Sequence, residues 1–198
     1  MSKRQKPWGL LFVVFLLLLL VFNFLTFRLV QSNTRVEHML STYRMGETLP
    51  QNMTGPFRMH YRVEGEGRLS RALAEALETE LETQTSVGAA VEVAAGAQLA
   101  EAPMLYVDLT PRRLWTPFFG RASVTAQVFF AYDGEAPWPL GEVVQLTVSP
   151  AVKADGTFNL ADASFGLLSK PAYDEHLAQA LAEAIGAALQ NDVFRSPS

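Results

Sequence analysis

The uncharged run from Pro7 to Phe27 constrains this chain more than any other stretch. It reads PWGLLFVVFLLLLLVFNFLTF, follows a basic start (Lys3, Arg4, Lys6) and holds one strongly polar residue, Asn23. As a helix rising about 1.5 Å per residue, roughly 21 residues reach about 31 Å, the thickness of a bilayer core. Trp8 falls at one interface, Phe27 and Arg28 at the other. A cleaved secretory leader has a shorter apolar region, about 7–15 residues, closed by a small-x-small site. The following NFLTFRLVQSN offers no such site. The expectation is an uncleaved signal-anchor over residues 1–28 with a short basic tail, crossing the plasma (inner) membrane once. Basic residues crowd its N-terminal side, while Arg28, Arg35 and Arg44 are spread beyond it. That bias puts the N-terminus in the cytoplasm and the C-terminal domain outside.

Beyond this run the chain is acidic. All twenty Asp/Glu lie there, against thirteen of the sixteen Lys/Arg, a local net charge of −7. Such a balance is poorly suited to phosphate backbones, so nucleic acid is not an expected partner. There is no cysteine, which excludes disulfides, cysteine-ligated metal and a lipid-modified N-terminal cysteine.

Residues 29–56 read as a stalk helix and hinge. Leu29, Val36 and Tyr43 recur at seven with Met39 and Leu40 between them, so a helix continues to Arg44 and stops at Gly46. GETLPQNMTGP is then flexible, and Asn52-Met53-Thr54 within it matches a glycosylation acceptor. Residues 57–191 form the domain, with a tail at 192–198. Phe57, Met59, Tyr61 and Val63 alternate with polar residues, as in a strand with one buried face. Leu69, Leu73, Leu77 and Leu81 then mark an amphipathic helix. Strands follow at Ala89–Val93, MLYVDL and ASVTAQVFFAY, the last with Ala122, Val124, Ala126, Val128, Phe130 and Tyr132 inward. A turn at Asp133-Gly134 leads to EVVQLTVS, and VKADGTFNL suggests a small hairpin around Asp155-Gly156. A last helix runs from Tyr173 to about Gln190, with Leu177, Leu181, Ile185 and Leu189 inward and Pro171 in its first turn. The expected fold class is α+β: a single transmembrane helix, then a mostly antiparallel sheet with two helices packed on one face.

This order, with RLSRALAEALE opening the first helix and APMLYVDL and ASVTAQVFFAYDG forming the strand pair after it, resembles the small α+β domains of envelope lipoproteins such as LptE. The resemblance spans roughly Phe57 to Gln190 and is one of layout. It implies a role in envelope assembly and assigns no functional residue.

Motifs for chemistry are sparse. GEGRLS (Gly65–Ser70) comes near a dinucleotide fingerprint, but the strand before it alternates, whereas a dinucleotide-binding first strand is apolar throughout. No cofactor is expected. His38, His60 and His176 share no metal-ligand spacing and no triad motif, and read as solvated. Asp155, Thr157 and Asn159 begin a calcium-like loop that lacks the glycine and glutamate it needs, so no metal is expected. Arg68 and Arg71 at the start of the first helix, with Glu78, Glu80 and Glu82 near its end, oppose the helix dipole and suggest a secondary contact.

The strongest contact candidate is LTPRRLWTPFFGRAS (Leu109–Ser123). It carries Arg112, Arg113 and Arg121 in an acidic domain, and Trp115, Phe118 and Phe119 between two prolines. The prolines cannot donate to a ladder, so the stretch is an edge, a bulge or a loop. Its aromatics either plug the core or form an exposed patch of the types that dominate contact hot spots. The expected function is a non-catalytic interaction or assembly module of the cell envelope. Its expected partners are a protein or anionic lipid headgroups. An apolar-ligand binder and an enzyme of unknown class are the alternatives.

Overall fold

Apolar and polar residues alternate along much of the chain outside the helices, and six strands form there. The computed structural model describes residues 8–44, 56–65, 67–94, 103–131 and 152–194. In order these are α1 (Trp8–Phe24), β1 (Arg28–Arg44), β2 (Phe57–Glu64), α2 (Arg68–Glu82), β3 (Val87–Glu92), β4 (Met104–Thr116), β5 (Phe119–Ala131), β6 (Val152–Leu168) and α3 (Lys170–Ala188). A π-helical turn, Leu189–Phe194, continues α3. One sheet holds all the strands in the order β1-β6-β5-β4-β2-β3. The β1/β6, β6/β5 and β5/β4 pairs are antiparallel. The β4/β2 and β2/β3 pairs are parallel, with α2 crossing between β2 and β3. The α+β class stands, and the sheet is mixed.

Both α2 and α3 lie on the same face of the sheet. Leu69, Leu73, Leu77 and Leu81 of α2 and Leu177, Leu181 and Ile185 of α3 are buried with Met59, Tyr61, Val124, Phe130 and Phe158. At roughly 1.5–3 kcal/mol for each large apolar side chain, this layer supplies most of the drive to fold. The helices meet where Gly186 lets Glu80 and Gln84 approach, and Gln84 Nε2 donates to the Gly186 carbonyl at 3.0 Å. Ser169 caps α3, its hydroxyl accepting from the Ala172 amide, with Pro171 in the first turn.

Three expectations need correcting. First, α1 covers 17 residues, about 26 Å, and among the described residues no helix is long and apolar enough to cross a membrane. The uncharged run is longer than its helix because Phe27 is tied down elsewhere. Its amide donates to Ser169 Oγ at 3.0 Å and its carbonyl accepts from the Ser169 amide at 3.1 Å. The single-pass anchor over 1–28 and the inner-membrane topology built on it fall with this finding.

Second, the stalk helix is a strand. Val30, Ser32, Thr34, Val36 and Leu40 are half-buried toward the helices, while the residues between them are exposed. Every position of β1 from Arg28 to Arg44 pairs with β6. β-branched residues on a period of two outweigh a seven-residue recurrence that rests on three positions. The domain therefore begins at Arg28, and Val193 and Phe194 of the supposed tail are buried in the core.

Third, β6 runs straight through Asp155-Gly156, so no hairpin or calcium-like loop forms there. The hinge with Asn52, Tyr132, the Asp133-Gly134 turn, EVVQLTVS, the basic N-terminal tail and residues 195–198 lie outside the described residues.

Candidate functional site

Leu109–Ser123 is two paired strands rather than a projecting loop. β4 runs to Thr116 and β5 starts at Phe119, leaving Pro117 and Phe118 as the turn. β2 pairs with β4 only as far as Asp108, so Pro111 sits where β4 is an edge and its missing N–H leaves no gap in the ladder. The turn is pinned to β6: the Gly166 amide donates to the Phe118 carbonyl at 3.0 Å and the Leu168 amide to the Pro117 carbonyl at 2.9 Å.

Alternation then divides the six candidate residues between two faces. Arg113 and Trp115 turn toward the helices. Arg113 pairs with the buried Asp174, and Trp115 packs on the core and donates Nε1–H to the Leu168 carbonyl at 3.1 Å. Arg112, Arg121 and Phe119 turn to the uncovered face, and Phe118 stands at the turn beside it. Among the described residues Arg112 and Arg121 make no ion pair.

The β1-β6-β5-β4 register assembles that uncovered face in rows. One row holds Gln31, Phe165, Phe119 and Thr116; the next holds Asn33, Ala163, Arg121 and Leu114; the third holds Arg35, Ala161, Ser123 and Arg112. Phe165 is 61% exposed, Leu114 59%, Phe118 64% and Leu29 73%. Phe119 and Phe165 lie 5.1 Å apart between ring centres. The apolar α1, exposed along most of its length, adjoins this end through Phe22, 6.5 Å from Phe118. Beside the apolar end, Asn33, Arg35, Arg121, Ser123, Ala161 and Ala163 line an open depression of about 580 Å³. Its floor is small residues and its rim carries guanidinium groups. Arg35 meets Glu37 at 2.8 Å on the exposed surface. Leu29, Arg35 and Phe165 escaped the sequence reading because strand register alone brings them to Arg121.

The covered face beneath the start of α3 is polar. Thr34 Oγ1 donates to Asp162 Oδ1 at 2.7 Å, and Ser164 Oγ donates to Asp162 Oδ2 at 2.9 Å. Arg28 reaches His176 Nδ1 at 2.8 Å and donates to Ser32 Oγ at 2.7 Å. A guanidinium can only donate, so Nδ1 accepts and the imidazole Nε2–H donates to Thr34 Oγ1, 2.7 Å away. Ser32 passes its proton side to Ser164 at 2.9 Å. Two hydrogen-bonded arms thus run from Arg28 to the two oxygens of Asp162. Burial alone would raise the Asp162 carboxyl, but the His176 imidazole 3.5 Å away and the hydrogen bonds from Thr34 and Ser164 outweigh it and hold it below the usual carboxylate value. Asp174 is raised by burial, against the attraction of Arg113 and Lys170. Burial, and then the Asp162 charge, raise the Tyr173 phenol, whose ring lies on Gly120, where a Cβ would come within 2.7 Å.

His176 is therefore a half-buried member of a network rather than a solvated surface histidine, and each ring nitrogen is engaged. His38 stacks on Phe158 with ring centres 5.1 Å apart. His60 is partly buried, and burial together with Arg58 lowers its pKa. No group of three His, Cys, Asp or Glu able to hold a metal occurs among the described residues. Arg68 and Arg71 line a second open depression, of about 540 Å³, with Glu75 and Glu175. At the other end of α2, Tyr61 donates to Glu78 at 3.3 Å, and burial and then Glu183 raise the Glu80 carboxyl.

No protein family and no curated protein matches the sequence. Among solved structures, the PelC dodecamer from Paraburkholderia phytofirmans matches with a TM-score of 0.43 and 11% identity, over 78% of this chain and 98% of that one. A single-substitution form of the same dodecamer matches with a TM-score of 0.35 and 11% identity, over 80% of this chain and 100% of that one.

Proposed function

We propose that this protein is a non-catalytic interaction module whose uncovered sheet face docks on anionic lipid headgroups. One observation carries the reading. Arg35, Arg112 and Arg121 border an exposed apolar end made by Leu29, Leu114, Phe118 and Phe165. Monomeric proteins seldom leave apolar patches of this kind uncovered, and such patches mark sites of contact. Arginines beside apolar side chains suit a lipid surface, where guanidinium groups meet headgroup phosphates and the Leu and Phe side chains reach the first acyl carbons. Each arginine near an anionic surface contributes about 1 kcal/mol, less at higher salt.

Two features favour docking over the alternatives. The layer between sheet and helices is filled by large side chains, among them Tyr61, Phe130, Phe158 and Tyr173, which leaves little room for an apolar ligand there. Both nitrogens of His176 are already committed, so this histidine has no lone pair ready to accept a substrate proton.

The test is flotation of the full chain with phosphatidylcholine vesicles, with and without phosphatidylserine. Wild-type protein should bind the anionic vesicles more tightly, and salt should erase the difference. The pair Arg112→Ser and Arg121→Ser should lose that anionic increment, roughly 30-fold for two arginines. Equal binding to both vesicle types, or an increment that survives the substitutions, sinks the lipid reading and leaves an acidic protein surface as the occupant.

A further inference from the structure

β1 ends the sheet, and among the described residues its outer edge pairs with no strand. It is 17 residues long, contains neither proline nor lysine, and displays Leu29, Met39 and Tyr43 exposed on its uncovered side. A long unbroken edge of this kind is a template for another strand. We infer that the occupant is a second copy of this chain, with β1 pairing antiparallel to the partner's β1 about a two-fold axis at Val36.

The register follows from the charges. With Val36 opposite the partner's Val36, Arg35 faces the partner's Glu37, and Glu37 faces the partner's Arg35. The same register sets Leu29 against the partner's Tyr43, so two exposed apolar side chains at each end gain a neighbour. Sliding by one pleat in either direction ruins the match. One slide puts Arg35 opposite the partner's Arg35; the other puts Glu37 opposite the partner's Glu37. Like charges directly opposite on a sheet repel, and opposite charges attract. A slide by a single residue turns the covered side of one copy toward the uncovered side of the other. Only the register centred on Val36 satisfies both the charged and the apolar positions from Leu29 to Tyr43. In each copy Arg35 now meets Glu37 two residues along its own strand at 2.8 Å. In the pair these four charges become a cross-strand cluster, and the two uncovered faces join into one surface. The inference rests on the strand edge and stands apart from the lipid reading.

The experiment is sedimentation of the full chain in mild detergent, using wild type, Arg35→Glu, Glu37→Arg, and a mixture of the two variants. Wild type should dimerise. Each variant alone should associate roughly tenfold more weakly or worse, because like charges then meet across the axis. The mixture should restore the dimer, since one copy carries two acidic and the other two basic residues at the facing positions. Val36→Cys, in a chain with no other cysteine, should form a disulfide-linked dimer on mild oxidation. Unchanged association of the single variants, no recovery in the mixture, or a Val36→Cys chain that stays monomeric under oxidation would overturn the inference.

Discussion

The two faces of the sheet at its Gly120 end have opposite polarity, and in the unexpected sense. Beneath α3, where a core is the rule, lie Ser32, Thr34, Arg113, Asp162 and Ser164. On the side that no helix covers among the described residues lie Leu29, Leu114, Phe119 and Phe165. Arg112 and Arg113 are chain neighbours, yet one is exposed and the other pairs with buried Asp174. Burying polar groups costs stability unless each is partnered, and this cluster partners nearly all of its members. Leaving Phe and Leu in water adds nothing to folding. The covered face thus serves the integrity of the domain, and the bare face is free to serve contact.

Substitutions that respect this division should separate cleanly. The largest loss of stability is expected from Asp162→Asn, about 3–5 kcal/mol, because Thr34 and Ser164 both lose a hydrogen bond to a buried carboxylate and one of them meets an amide donor instead. Since Asp162 is held below the usual range, its contribution is complete above about pH 4 and is lost as pH falls through the lower folded-state value. Denaturant titrations of wild type and Asp162→Asn should therefore differ at neutral pH and converge in acid. A constant gap across that range would break the account of the network.

A smaller loss, about 2–4 kcal/mol, is expected for Trp115→Ala, which removes a half-buried ring and the hydrogen bond to Leu168. Thermal unfolding measures it, and a loss below about 0.5 kcal/mol would move Trp115 to the contact side of the comparison. The smallest effect belongs to the bare face. Phe165→Ser should change stability by no more than about 0.5 kcal/mol while weakening vesicle binding. A loss as large as that of Trp115→Ala would mean that Phe165 supports the fold.

Sequence periodicity located β2, α2, β4, β5 and α3, because each carries its burial signal within a few turns or pleats. Leu69 to Leu81 and Ala122 to Phe130 point inward as their spacing dictates. β1 was illegible for a physical reason. Its half-buried side mixes Ser32 and Thr34 with Val30 and Val36, and the hydroxyls find their partners in Asp162 and Ser164 of β6. No local pattern can announce hydrogen bonds to residues so distant in sequence. The same distance hid half of the candidate site. Arg112, Arg121, Phe118 and Phe119 share one short stretch, while Leu29, Arg35 and Phe165 join them only through strand pairing. Arg113 and Trp115 misled for the opposite reason: they belong to the same motif but to the other side of the pleat.

The pairing of β1 with β6 also governs the order in which this molecule can be made. β1 is synthesised well before its described partner, which begins at Val152. Contacts between such remote segments are slow to form, since a long loop must close before they contribute. Until β6 is made, β1 therefore waits with both edges open, next to the apolar α1. Nascent chains in that condition are the ones chaperones hold. The nascent chain is exposed to aggregation from β1 until α3 has been synthesised and Arg28 has found His176.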